Sequence, residues 1–183
     1  MTRELLPIVQ TPRLRLRAFE PSDAADLCRN MTPAVTRWLA SWPDPVTQDY
    51  ALARIERARA GMARGVSLFY ALERIEDERV IGGLGGGLVP QDPSRLEVSY
   101  HLAEDCHGAG YMAEAVRAAL PAIWRLMPVR MIEAGAQLAN AASFGVMKAM
   151  GMSPAQERLV YSSARDRQEP TQFYELRRPQ GLI

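Results

Sequence analysis

A chain of 183 residues, 48% hydrophobic and 23% charged with a formal net charge of +1, is long enough to bury a sizeable core without disulfides or a metal. The near-neutral balance argues against a general nucleic-acid binder, which carries a marked basic excess. Two separated cysteines, Cys28 and Cys106, and only two histidines offer no metal-ligand spacing.

No run approaches the ~20 apolar residues of a membrane span, and "MTRELLPIVQTPRLRLR" lacks the apolar core of a signal peptide. The expectation is a reduced, cytoplasmic protein with no membrane partner, folded as a single domain over residues 1–183. "RLRLRAF" (Arg13 to Phe19) alternates basic and apolar residues, the period of a half-buried strand. Ser22 or Asp23 is placed to cap a short helix after it. "WLASWPDPVTQDY" reads as a proline-broken loop carrying Trp38 and Trp42, after which Thr47 caps a helix over Gln48 to Ala63. The arginines of that helix read as a solvated outer face. "VSLFYALER" and "RVIGGLGGGLV" form two strands joined by a charged turn at Glu76 to Glu78, and "RLEVSYHL" (Arg95 to Leu102) is a further strand. A helix runs from near Gly110 to about Leu126, with Pro121 inside it as a kink or a break. "VRMIEAGA" is a short strand, "NAASFGVMKAMGM" is a helix that Gly151 ends, and the tail folds as two strands around Ala164 to Arg167. The chain is thus of mixed α+β class.

Two glycine-rich stretches invite a nucleotide reading. "GGLGGG" (Gly82 to Gly87) completes neither a G-x-G-x-x-G fingerprint nor a P-loop, because Leu88 and Val89 follow it. Glycines inside a strand mark bulges or close backbone approach, here with room for a substrate. "HGAGYMAEA" differs because a helix starts directly on it. The first turn of a helix has unpaired N–H groups and a partial positive charge, which together attract phosphate. Gly108 and Gly110 permit positive φ and let an anion approach the backbone. A plain capping turn explains the spacing equally well.

The order "LEVSYHL", "AEDC", "HGAGYMAEA", followed by Asn140, Ser143 and Gly151-Met152, resembles the GCN5-related N-acetyltransferases (GNAT), and among them the RimJ/RimL-type branch. The opening "TPRLRLRAFEPSDAADL" and "VIGGLGGGL" look like this branch too. The resemblance implies a mostly antiparallel sheet of six to seven strands with about four helices, splayed between the fourth and fifth strands. It implies acetyl-coenzyme A as cosubstrate, with no metal. The pyrophosphate would lie on backbone N–H groups of His107, Gly108, Ala109, Gly110, Tyr111 and Met112, and the thioester carbonyl against backbone near Leu102. Asn140 and Ser143 would meet the pantetheine arm and the sulfur. The acceptor would be an amine of a small molecule or a protein N-terminus, and a homodimer is common among members.

Departures from the pattern are His107 for Trp, Arg or Gln, Met112 for a small residue, Ser99 for glycine, and Met147 where many relatives outside the branch carry a tyrosine acid. They motivate an alternative reading, a coenzyme A-binding or regulatory module with little turnover. Glu97 is a candidate general base or an ordinary strand carboxylate. Ser143 is a candidate acid for the thiolate or a helix-start hydrogen bonder. Glu114 suits the helix dipole better than catalysis. Cys106 beside His107 suggests a Cys–His nucleophile, but adjacent residues seldom aim side chains at one another. His101, Trp38 and Trp42 are candidates for lining the acceptor cleft or for plain packing.

Overall fold

The computed structural model describes residues 6–181. In chain order the elements are β1 (Val9–Gln10), β2 (Leu14–Ala18), α1 (Ala24–Asn30), α2 (Pro33–Thr36), α3 (Gln48–Ala63), β3 (Ser67–Arg74), β4 (Val80–Val89), β5 (Asp92–Leu102), α4 (Tyr111–Leu126), β6 (Met131–Gln137), α5 (Ala141–Ala149), β7 (Ser153–Ser162) and β8 (Arg167–Arg177). The strands make one sheet in the order β1-β2-β3-β4-β5-β6-β8-β7. Every neighbouring pair is antiparallel except β5 and β6. The eight strands among the described residues exceed the six to seven expected because the two-residue β1 carries too little sequence to show a period. The one-turn α2 likewise brings the α-helices to five among the described residues.

Alternation along the central strands divides the apolar residues between two cores. Leu68, Tyr70, Leu84, Leu96 and Val98 join Val116, Ala119 and Ile123 of α4 on one face. Phe69 and Ala71 join Leu27 of α1 and Ile55 of α3 on the other. Complete burial of a side chain such as Ile123 or Ile55 contributes about 1.5–3 kcal/mol.

Thr47 caps α3 as the sequence suggests, its hydroxyl accepting from the Tyr50 amide at 3.2 Å. Ser22 and Asp23 do not cap α1 through their side chains. Both lie in a short 3-10 turn, and the Asp23 carboxylate instead accepts from the Glu20 amide and from Arg17 at 2.8 Å. Arg17 also reaches the buried Glu73 at 2.6 Å, which ties β2 to β3. Pro121 neither ends nor divides α4, which is one helix of 16 residues. The missing N–H falls on the exposed side, with Arg117 four residues earlier also exposed. Water can therefore satisfy that carbonyl, and the buried face (Ala115, Val116, Ala119, Ile123) offsets the proline cost of about 3 kcal/mol.

Candidate active site

The two parallel strands pair over only three registers, Arg95↔Met131, Leu96↔Ile132 and Glu97↔Glu133, and then part. These are the fourth and fifth strands of the sequence reading, and their splay is present. Ion pairs close the base of the V: Arg95 donates to the buried Glu133 at 2.8 Å and also reaches Glu175, and Arg158 stands 3.2 Å from Glu133. Above them opens a cleft of about 1050 Å³. That is at the upper end of the ~300–1000 Å³ typical of ligand sites and large enough for two substrates.

One wall is the exit of β5. After a 3-10 turn at Glu104–Cys106, Gly108 (φ 74°) and Gly110 (φ 79°) both take left-handed backbone before α4 begins. A Cβ on Gly108 would meet nothing within 4 Å, so the dihedral angle, not crowding, calls for glycine. The amides of the first turn of α4 have no intrahelical acceptor and carry the positive end of the helix dipole. Arg13 of the β1–β2 turn holds this segment from behind: it donates to the Ala109 carbonyl at 2.9 Å and to Glu114 at 2.7 Å, and lies 4.3 Å from the Tyr111 ring centroid. Glu114 also accepts from the Thr11 hydroxyl at 2.6 Å. Burial works against its charge, but these donors hold its carboxyl below the ordinary value. Glu114 is thus a structural tie, as its position in the first turn suggests.

The side chains that depart from the family pattern leave the backbone cradle free. Met112 is 6% exposed and packs in the α4 core. His107 turns its Nε2 to the Leu102 carbonyl at 2.9 Å, which calls for the tautomer protonated there. Cys106 is buried, and burial together with Asp105 raises its thiol, the opposite of activation. With His107 engaged elsewhere, no Cys–His pair forms.

The opposite wall is the start of α5. The Asn140 side chain caps the helix by accepting from the Ser143 amide at 3.3 Å. The Tyr100 hydroxyl crosses the V from β5, donating to the Ser143 carbonyl at 3.0 Å and lying 2.7 Å from the Ser143 hydroxyl. Burial pushes the Tyr100 phenol up to about 12, with Ser143 opposing. Sequence reasoning missed this pair. Alternation places Tyr100 beside Val98 and Leu102, but nothing local shows what its hydroxyl meets.

Glu97, Ser99 and His101 point to the α3 side of β5. Glu97 has neither a hydrogen bond nor an ion pair among the described residues. Its side chain is open to solvent at the cleft, yet the surrounding walls desolvate it in part and, with the negative Glu133, raise its carboxyl above the ordinary range, Arg158 opposing. The His101 ring lies edge-on to Trp42 at 5.9 Å, and burial plus the neighbouring Arg54 lower its pKa to about 4. His101, Trp38 and Trp42 all line the cleft. So does Arg54, whose guanidinium lies 4.6 Å from the Trp42 ring centroid. Arg59 donates to the Phe19 carbonyl at 2.7 Å. Of the α3 arginines, Arg57 is exposed as expected, whereas Arg54 and Arg59 are half-buried and turned to the cleft and to Phe19.

A family model described as an acetyltransferase (GNAT) domain matches residues 13–153. A protein described as an uncharacterized N-acetyltransferase p20 from Bacillus licheniformis is 27% identical over 143 residues, 76% of this chain and 79% of that protein. Two solved structures share the fold. RimL, a ribosomal L7/L12 alpha-N-protein acetyltransferase in complex with coenzyme A, matches at TM-score 0.77 and 18% identity over 93% of this chain and 98% of its own. The microcin C7 self-immunity acetyltransferase MccE in complex with acetyl-CoA and AMP matches at TM-score 0.78 and 11% identity, over 96% and 99%.

Proposed function

This chain belongs to the acetyltransferase (GNAT) domain family, and we propose on that premise that it moves the acetyl group of acetyl-coenzyme A to a primary amine of a small molecule or a protein N-terminus. The observation that carries the reading is the V itself, with two left-handed glycines and the first turn of α4 at one edge and the Tyr100–Ser143 pair at the other. The amides from Gly108 to Met112 would hold the pyrophosphate; that of His107, expected to join them, already donates to the Glu104 carbonyl at 3.1 Å. Leu102, Asn140 and Ser143 would flank the pantetheine arm and thioester. The coenzyme supplies an activated acyl thioester. A bond forms between the amine nitrogen and the acetyl carbon as the C–S bond breaks.

Glu97 takes the proton that the amine sheds, directly or through a water. It is the unpaired carboxylate on the α3 side of β5, and its raised pKa makes it a stronger base than a glutamate at the ordinary value. Tyr100 and Ser143 hold a hydroxyl where the leaving sulfur would lie, and Tyr100 stays protonated through neutral pH. Two of the departures that favour a non-catalytic module leave the cradle's backbone unobstructed, since Met112 faces the core and His107 supports Leu102, while Ser99 lines the cleft. Calorimetry with acetyl-coenzyme A, followed by thiol release with a panel of amines and N-terminal peptides, tests the reading. Micromolar binding with amine-dependent thiol release is expected. Absence of binding overturns the proposal, and tight binding without turnover on any acceptor replaces it with the regulatory module.

A further inference from the structure

We infer that the acceptor amine carries an anionic group, a carboxylate or a phosphate, which lies against an arginine stripe of α3 while the amine lies at Glu97. The inference rests on the acetyl-transfer reading and names the chemistry of its second substrate. Arg54, Arg57, Gly61 and Arg64 recur at the spacing of one helical face, and all four line the cleft. Three arginines thus border one space, Arg54 half-buried and Arg57 and the C-cap Arg64 exposed at its mouth. None of them forms an ion pair among the described residues, whereas Arg13, Arg17, Arg79, Arg95 and Arg165 each hold a carboxylate. Arg54 is half-buried, and both burial and the like charge of Arg57 act against its ionised form, with Tyr50 opposing. A guanidinium in such a place without a counter-ion is costly, and a bound anion relieves the cost.

The carboxylates lining the cleft are Glu97 and Glu169. Glu169 is already held by Arg165 at 2.6 Å and Arg167 at 2.9 Å, so Glu97 alone of the two is unpaired. The register places Glu97 on the same face of the sheet as the stripe. It is paired with Gly87, Gly87 with Ser67, and α3 closes on Ser67 so tightly that a Cβ on Gly61 would stand 2.2 Å from its hydroxyl. Nothing fills the intervening position, since a Cβ on Gly87 would find no atom nearer than 3.8 Å. The cleft is therefore negative at β5 and positive at α3, and an amine and an anion on one molecule match that polarity.

The test compares matched acceptors with the full chain and saturating acetyl-coenzyme A. β-Alanine against its amide reads a carboxylate, and aminoethyl phosphate against ethanolamine reads a phosphate. At least a tenfold higher kcat/KM for the anionic member of one pair is expected, with the advantage lost in Arg54→Gln/Arg57→Gln while acetyl-coenzyme A affinity by calorimetry is unchanged. Equal or better use of the neutral member in both pairs, or an advantage that survives the double substitution, overturns the inference. Calorimetry of the same four amines with the coenzyme A complex gives a readout that does not require turnover. Failure of all four to show arginine-dependent binding there also overturns it. Loss of acetyl-coenzyme A binding in the unsubstituted chain would instead sink the acetyl-transfer reading, so the two failures are distinct.

Discussion

The wall of the cleft that runs from Leu102 through Gly110 into α4 is made of backbone, whereas the wall formed by α3 and the Trp38–Trp42 loop is made of side chains. On the first wall the groups offered to a ligand are amides, and the side chains at His107, Met112 and Glu114 are turned to supporting contacts. On the second, the side chains of Trp38, Trp42, Arg54, Arg57 and Arg64 line the space, with His101 of β5 beside Trp42. A backbone cradle tolerates changes of sequence as long as the dihedral angles survive. A side-chain wall changes its ligand with each substitution. The constant reactant of the proposed reaction belongs to the first wall and the variable one to the second.

Substitutions can break or sharpen that contrast. The largest effect is expected from Glu97→Gln, a loss of about 10²–10⁴-fold in kcat/KM for the acceptor with unchanged affinity for acetyl-coenzyme A. The base must be deprotonated, so activity of the unsubstituted chain falls as pH drops through the raised Glu97 pKa, and this acid limb disappears in the variant. A pH–rate series on both proteins checks it. Retention of most activity by Glu97→Gln would return Glu97 to the status of a strand carboxylate.

His101 gives the next effect, on stability. Its folded pKa of about 4 lies below the ordinary 6.5, so the unfolded chain takes up its proton first as pH falls. Stability is complete above 6.5 and is lost between 6.5 and 4, by roughly 3 kcal/mol. Denaturant titrations across that range should show the loss, and His101→Gln should flatten it.

On the backbone wall, Gly110→Ala forces a Cβ into left-handed backbone at a cost of about 1–2 kcal/mol, and should weaken acetyl-coenzyme A binding. His107→Gln should alter that affinity far less. Calorimetry on the two variants would refute the backbone account if their order were reversed. The smallest effect is expected at the far edge of the V. Tyr100→Phe removes the contacts of the phenol with both the Ser143 carbonyl and the Ser143 hydroxyl, whereas Ser143→Ala removes only the second, each worth about 1 kcal/mol. Together they should lower kcat by little more than Tyr100→Phe alone, because the interaction lost in Ser143→Ala is already lost in it. Full additivity in a double-mutant cycle would separate the two hydroxyls.

Much of the fold was legible because it is local. The α3 bounds follow from the Thr47 cap and the run of helix formers after it, and the end of α5 follows from Gly151, whose φ is 81°. The Gly108 and Gly110 turn was legible for the same reason, since positive φ is a property of a single residue. The Tyr100–Ser143 pair was not, because 43 residues separate its members and only the meeting of β5 with α5 brings them together. The solvated face expected of the α3 arginines holds for Arg57 and fails for Arg54 and Arg59, for a subtler reason. A stripe at helical spacing looks the same whether it faces water or a cleft, and the pattern carries no sign of which.

By itself the sequence determined the identity and bounds of the longer elements, the special dihedral angles, and the family motif from Glu97 to Ala115. These depend on residues within a turn or two of one another, where sterics and hydrogen-bond period act. Only the tertiary structure decided that β5 and β6 part after Glu97 and that Arg13 braces the glycine turn. It also brought Glu97 and the arginines of α3 to the lining of one cleft, with the uncrowded Gly87 paired beside Glu97. Those outcomes depend on strand register and on which face of α3 packs against the sheet, quantities set by the whole core at once.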